Sequence, residues 1–574
     1  MSKRIGRGRR RTRTPASHTA PAQGAAESTP VESDPANSLA RLLESPHLAR
    51  VVPRLAPEVL QQLIRRFGLD VCAEIVAAAT PAQLTSVFDL DLWRSARAGH
   101  DERFDAARFG EWLEQLVDAG DTVAGRIVAA MDEHLVIAGL SQYIRVLDPA
   151  AIVPRVDGEP VDVVKSHRGP ECEVGGYLVR GINAGAWDAI VALLLALEAD
   201  HPHRFHAVMR GCRRLSNSTP EVDGLDGLLT ESQQLLHDVA RDRESRRSRQ
   251  GYSTPADARA FLLMARRPRR PALDEPSVNP IVAAYFRAIT DTTESDNAAT
   301  AHVPRRALES PATPDGVSDA LDAVADLVTL ADIGAKRPRA LLDGAHPRAS
   351  RFERLRALLE FVRDADETVS GVRSQELAFL ANTLAAGCSI QSRPFTPQEA
   401  SDAAAGVCNL GLEHWPADWV SSPAPDADPV MPDTFLIDHD LVSAFEAGWA
   451  ILHERVSMFV AGQLLVALSD LRFSDIDTQR GVDGLRLELT RQCEAGTPWR
   501  ARHALEVLAT LDVPAWISLL GLLDEYPVIP AALTATLEGR TGAISATEFE
   551  FISTRSQLRT VEEYLARFPD LLLR

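Results

Sequence analysis

A helix start that recurs near the beginning of this chain restricts its fold more than any other feature. APEVLQQLIRRFG places Pro57 at a first helical position, and TPAQLTSVFDL repeats the device at Thr80–Pro81, 24 residues later. Proline suits that position because the amide it lacks has no partner in a first turn, and the Thr80 hydroxyl accepts from amides left over there. FDAARFGEWLEQL then begins on Asp105 as a cap, at a similar interval. Each unit reads as a pair of short helices, with Leu60, Leu63, Ile64 and Phe67 at helical spacing. Such a pair cannot bury both faces alone and must stack on neighbours, so three imperfect copies predict a mainly α fold with an α-solenoid-like helical array. Only 6% of residues are aromatic, which also disfavours an extensive sheet.

The rest of the 574 residues divides by composition. Residues 1–36 carry Lys3, Arg4, Arg7, Arg9, Arg10, Arg11 and Arg13, almost no large apolar group, and no acid before Glu27. They form an expected disordered basic tail, because burial there cannot offset ordering entropy. An N-terminal helical domain is expected over 37–290, with a small inserted β element at about 152–182. There DVVKSHRGPECEVGGYLVRGI alternates apolar positions around Gly175–Gly176, a hairpin-turn pair. A polar, proline-punctuated linker follows at 291–315, then a C-terminal helical domain over 316–574. A loop at 421–433 interrupts that domain. A long helix at 438–470 follows it, with Leu441, Phe445, Trp449, Leu452, Val456 and Phe459 on one stripe.

The formal charge is −19. Taking the seven tail cations from 61 basic residues leaves 54 against 80 acidic ones, a balance of −26. Such a body disfavours nucleic acid; only the tail, through Arg9, Arg10 and Arg11, suits nucleic acid or an anionic surface. The six cysteines are scattered without a C-x-x-C pair, which reads as free thiols in a reducing compartment. The longest apolar run, Ala189–Leu197, is about half a membrane span, and the N-terminal arginines precede no apolar h-region. A cytoplasmic protein with no membrane span is expected.

Local signs of chemistry are few. HPHRFHAVMRGC, from His201 to Cys212, concentrates three histidines and a cysteine, but only His203 and His206 share a helical face. Pro202 in the first turn, with Phe205, Val208 and Met209 facing a core, describes the stretch better than a metal site. DLD (89–91), DHD (438–440) and DID (475–477) read as helix caps before magnesium ligands. The sequence contains no Walker A cradle, G-x-G-x-x-G or G-x-S-x-G, so no cofactor, metal or catalytic residue is assigned. The most distinctive segment runs from 374 to 415. Its second helix opens on a capping box of Thr396, Pro397 and Glu399, and small residues from Ala403 to Gly406 would allow close helix contact. Arg373, Glu376, Asn382 and Asn409 lie among apolar neighbours there, and buried polar groups need partners. They make either a packing network or a ligand pocket.

The segments LAPEVLQQLIRRFG…ATPAQLTSVFDLDLW, LLTESQQLLHDVARDRESRRSRQGYSTPADARAFL, RSQELAFLANTLAAG and VCNLGLE resemble DUF6178, an uncharacterised bacterial domain-of-unknown-function family. The resemblance extends from about Ser38 to the C-terminus outside the linkers. It implies a bacterial, cytoplasmic, mostly helical protein and brings no activity or functional residue with it. Residues 50–95 are also similar to the short-helix repeats in the intracellular domain of magnesium transporters, in superhelical shape alone. The reading that follows is a helical scaffold or regulatory protein that binds another macromolecule, its acidic body selecting a basic protein partner. The alternative is an enzyme or small-molecule sensor centred on Arg373, Glu376, Asn382 and Asn409.

Overall fold

A computed structural model describes residues 48–95, 100–147, 169–182, 185–217, 230–266, 279–289, 352–415, 432–470, 475–501, 521–530 and 549–572, with positions 43, 472, 519 and 533 between them. The tail, the 291–315 linker, most of the 421–433 loop and the 152–168 part of the β insertion lie outside these residues.

The chain is mainly helical. Its first described half runs α1 (Pro57–Phe67), α2 (Ala73–Ala78), α3 (Pro81–Asp91), β1 (Trp93–Arg94), β2 (Arg103–Phe104), α4 (Ala106–Asp118), α5 (Asp121–Ala130) and α6 (Glu133–Leu140). After these come β3 (Ile144–Leu147), β4 (Glu171–Val174), β5 (Tyr177–Gly181), α7 (Trp187–Asp200), α8 (Pro202–Asn217) and α9 (Glu231–Arg249). The proline starts form as the sequence dictates. Pro57 and Pro81 open their helices, and Thr80 completes a capping box with Gln83. Gln83 also donates to the Val52 and Leu55 carbonyls at 2.9 and 2.7 Å, so the cap ties α3 to the turn that precedes α1. Asp105 accepts from the Arg108 amide at 3.1 Å.

The packing of the described helices does not establish an α-solenoid-like array. α5 packs on α7, which lies beyond the β insertion, and α8 packs on β3 and α6. These returns close the helices around one hydrophobic core that runs from Val51 to Val239. The β element is a three-stranded antiparallel sheet in the order β3-β5-β4. Gly175 and Gly176 both hold positive φ, +57° and +79°, as a two-residue hairpin turn demands. Ile144–Leu147, ahead of the expected insertion, supplies the third strand.

The second half contains α10 (Pro255–Ala265), α11 (Glu353–Ala365), α12 (Glu367–Gly387), β6 (Ser389–Ile390), β7 (Arg393–Pro394), α13 (Pro397–Glu413) and α14 (Leu441–Leu452). A π-helical turn (His453–Met458) leads into α15 (Phe459–Asp470), followed by α16 (Ile476–Glu494), β8 (Val528–Pro530), β9 (Phe549–Phe551) and α17 (Arg555–Leu572). A second core, from Phe261 to Leu565, gathers these elements. Phe261 and Val282, both inside the 37–290 unit of the sequence reading, belong to this second core. The two cores therefore divide between Val239 and Phe261. The turn between them depends on Gly251 at φ +86°, whose neighbour Tyr252 donates its amide back to the Arg247 carbonyl at 3.0 Å.

α13 and α14 cross closely. A Cβ on Gly411 would lie 1.9 Å from the Ala444 carbonyl oxygen, and one on Gly448 would lie 2.0 Å from that of Val407. The close contact is thus one turn past the Ala403–Gly406 run expected to make it. The 438–470 helix also departs from its expected stripe. Leu441, Phe445, Trp449, Leu452 and Val456 are fully buried, but Phe459 is 36% exposed. The wider π-turn shifts the register, and Val460, Ala461 and Leu464 take the buried positions instead. Leu441–Ser469 is long and apolar enough to cross a membrane by length and composition, and half of its most apolar window is buried within the protein.

Candidate functional site

The four residues singled out on α12 and α13 do not converge. Arg373 and Glu376 form a buried ion pair one helical turn apart, and Arg373 Nε donates to the Leu436 carbonyl at 3.0 Å. Glu376 Oε2 accepts from the Leu441 amide at 2.8 Å, at the first turn of α14. Burial pushes the Glu376 carboxyl above its ordinary range, opposed by the Arg373 and Leu441 hydrogen bonds. Asn382 faces another element altogether and donates to the Gly251 carbonyl at 2.7 Å. Asn409, fully buried, accepts from the Leu355 amide at 3.0 Å and donates to Glu413 and to the Ser553 carbonyl at 2.9 and 2.8 Å. Their hydrogen-bonding groups are spent on loops, helix ends and each other. Arg9, Arg10 and Arg11 lie outside the described residues.

The other motifs resolve similarly. His203 and His206 are exposed, while Phe205, Val208, Met209 and Cys212 are fully buried. Asp440 and Asp475 cap α14 and α16. Asp89 takes both nitrogens of Arg246 at 2.9 and 2.7 Å, and Asp91 accepts from Arg108 and the Trp112 indole at 2.7 and 2.8 Å. Among the described residues no cluster of three or more His, Cys, Asp or Glu side chains could hold a metal ion. Burial raises the Cys72 and Cys212 thiols to about 12, which disfavours nucleophilic thiolates.

Arginines on α9 bind the first core together. Buried Arg243 donates to the Asp89 carbonyl at 2.6 Å and to Glu102, which Arg247 also meets at 2.9 Å. Arg243 lies over Trp93 and Arg247 over Tyr252, at 4.8 and 4.9 Å from the ring centroids. The cleft they line holds about 10 Å³ of free space, room for roughly one water.

The surface offers a different candidate, which sequence reasoning missed. On α16, Ile476 is 73% and Leu487 77% exposed. Eleven residues apart, they lie on one stripe of the helix, about 16 Å apart along its axis. Arg480 and Asp483 stand between them at spacings of four, three and four, the pattern of a helix-pairing seam. Arg480 pairs only with exposed Asp477 of its own helix at 3.0 Å, and Asp483 accepts from Gln479 at 3.1 Å and meets Arg486 at 3.8 Å, both on the same helix. Gly484 adjoins the stripe, and a Cβ there would meet nothing within 4 Å. This glycine weakens the helix without serving the chain's own packing. Phe459 and Val466 on neighbouring α15 are also exposed. The 11-residue spacing is present in the sequence, where DID (475–477) reads only as a cap.

The fold and this face define a helical protein with two cores, a small antiparallel sheet and an outer helix with exposed apolar side chains. Residues 27–221 match the model of a family of unknown function, DUF6178, so the resemblance stands over that stretch. LLTESQQLLHDVARDRESRRSRQGYSTPADARAFL, RSQELAFLANTLAAG and VCNLGLE lie beyond the matched residues. No curated protein and no solved structure matches the chain.

Proposed function

We propose that this chain is an assembly protein that pairs with a second copy of itself along α16 and presents an acidic body to a basic macromolecular partner in the cytoplasm. The α16 stripe supports the pairing because it is self-complementary. An antiparallel two-fold axis between positions 481 and 482 sets Ile476 against Leu487 of the partner subunit. The same axis sets Arg480 against Asp483 of the partner subunit. Each contact then occurs twice, and the open space at Gly484 lets the backbones approach. Burying an aliphatic side chain contributes roughly 1.5–3 kcal/mol. Four of them contribute roughly 6–12 kcal/mol against an association cost of about 4–15 kcal/mol, so the pairing is weak, with an affinity of about micromolar at best. The balance of −26 outside the tail favours a basic partner for the assembled body.

Sedimentation velocity on the full chain tests the pairing. Arg480→Asp and Asp483→Arg should each give a monomer, since like charges then oppose across the axis, and the double substitution should restore the dimer. A wild-type monomer, a dimer indifferent to the single changes, or a double variant that stays monomeric would overturn it.

A further inference from the structure

Several uncommon features meet at one place in the second core. The π-turn carries His453, which is 4% exposed. Its Nδ1 lies 3.4 Å from Ser457 Oγ, and its Nε2 has no hydrogen-bond partner. The imidazole packs on Trp499 with ring centroids 5.0 Å apart, and on Trp449 at 4.4 Å. Arg266, just past the end of α10, lays its guanidinium over the same Trp499 ring at 4.0 Å. The buried Nε of Arg266 has no hydrogen-bond acceptor. Arg500 follows Trp499 in the chain and is exposed. The nearby carboxylate of Glu525 is engaged elsewhere, accepting from the Ser389 amide and hydroxyl at 2.9 and 2.7 Å.

Burial lowers Arg266 to about 10; Cys388 and Glu525 oppose that fall and Arg500 adds to it. The arginine therefore carries charge in a place that disfavours it, with its fork held flat by the indole and an N–H edge free. Buried polar groups without partners are rare in folded proteins, and single π-turns recur at functional sites. A guanidinium edge with a second cation beside it matches the two oxygens of a phosphate or carboxylate.

We propose that Arg266, Trp499 and Arg500 form a receptor for the oxyanion group, phosphate or carboxylate, of a small molecule, set against the π-turn that carries His453. Trp499 fixes the plane of the Arg266 fork, the fork grips two oxygens of the ligand, and Arg500 adds charge from the solvent side. His453 lies on the same indole and offers its Nε2 as a further contact. The site shares no residue with the α16 seam, so either proposal can fail alone.

The test is a titration of full-length protein carrying 5-fluorotryptophan, with the Trp499 fluorine resonance assigned by Trp499→Phe. Inorganic phosphate and acetate are the probes, added separately against chloride at constant ionic strength. A saturable shift of that resonance with either anion is expected. Arg266→Gln should weaken binding roughly ten- to a hundredfold. Exposed Arg500→Gln, which carries no folding risk from burial, should weaken it about tenfold. Arg266→Lys keeps the charge without the fork and should lie between wild type and Arg266→Gln. No saturable shift up to about 10 mM of either anion would overturn the site and leave a bridging water as the partner of the orphaned nitrogens. A shift that survives both glutamine substitutions would overturn it equally.

Discussion

Gly411 and Gly484 are both helical glycines, and replacing each by alanine should move stability in opposite directions. The intrinsic effect is the same at both sites: alanine favours a helix interior by about 1 kcal/mol over glycine. At Gly484 nothing lies within 4 Å of the new methyl, so that gain stands alone and the variant should be more stable by roughly 0.5–1 kcal/mol. At Gly411 the methyl would sit 1.9 Å from the Ala444 carbonyl oxygen and 2.9 Å from the Gly448 nitrogen. Both obstacles are backbone, so no side chain can rotate away and α13 must separate from α14. Overpacking of this kind costs about 1–3 kcal/mol, and separation also loosens contacts of fully buried Val407, Cys408 and Leu410. A net loss of about 2 kcal/mol is expected for Gly411→Ala. Urea unfolding followed by circular dichroism in dilute protein reads both, as midpoint shifts of opposite sign at unchanged slope. A Gly411→Ala midpoint at or above wild type would refute the close crossing on which the second core is built.

Asn409→Leu should cost about 2–4 kcal/mol in the same assay, because the Leu355 amide and the Ser553 carbonyl would be left buried without partners. Asp89→Asn should destabilise the first core by roughly 3 kcal/mol, because Arg246 loses its buried counter-charge; a smaller effect than for exposed Asp477→Asn would contradict the network. Burial, with Arg266 adding to it, holds His453 well below the usual histidine range. The unfolded chain then takes up a proton that the folded chain refuses. Stability should be full above pH 6.5 and fall below it by about 1.4 kcal/mol per pH unit, a slope that His453→Gln should reduce.

The local signals read well because they depend on few residues. Thr80 with Pro81, Thr396 with Glu399, and Gly175–Gly176 each specify a cap or turn whose geometry is decided within four positions. Tertiary closure was not legible, because nothing in a 24-residue interval says that α5 will pack across the β insertion on α7. The exposure of Phe459 escaped for a related reason. A single wide turn at His453 shifts every later residue of the stripe, and a 3.6-residue period cannot register one inserted position.

The polar residues on α12 and α13 were conspicuous for a reason that bears on where function resides. When helices pack directly on turns and on the ends of other helices, unpaired carbonyls and amides enter the core without a sheet to receive them, and side chains must do so. Arg373 serves the Leu436 carbonyl, Asn382 that of Gly251, Asn409 that of Ser553 and Arg243 that of Asp89. Buried polarity in such a core therefore marks the places where chain ends and turns are fastened. The groups that point beyond the fold are those left over once the fastening is complete. Arg266 and His453 keep an unpartnered nitrogen against one indole, and Arg480 and Asp483 find partners only on their own helix. Neither set was conspicuous in the sequence, because an arginine after a helix and two charges on an outer face are ordinary until their partners are counted.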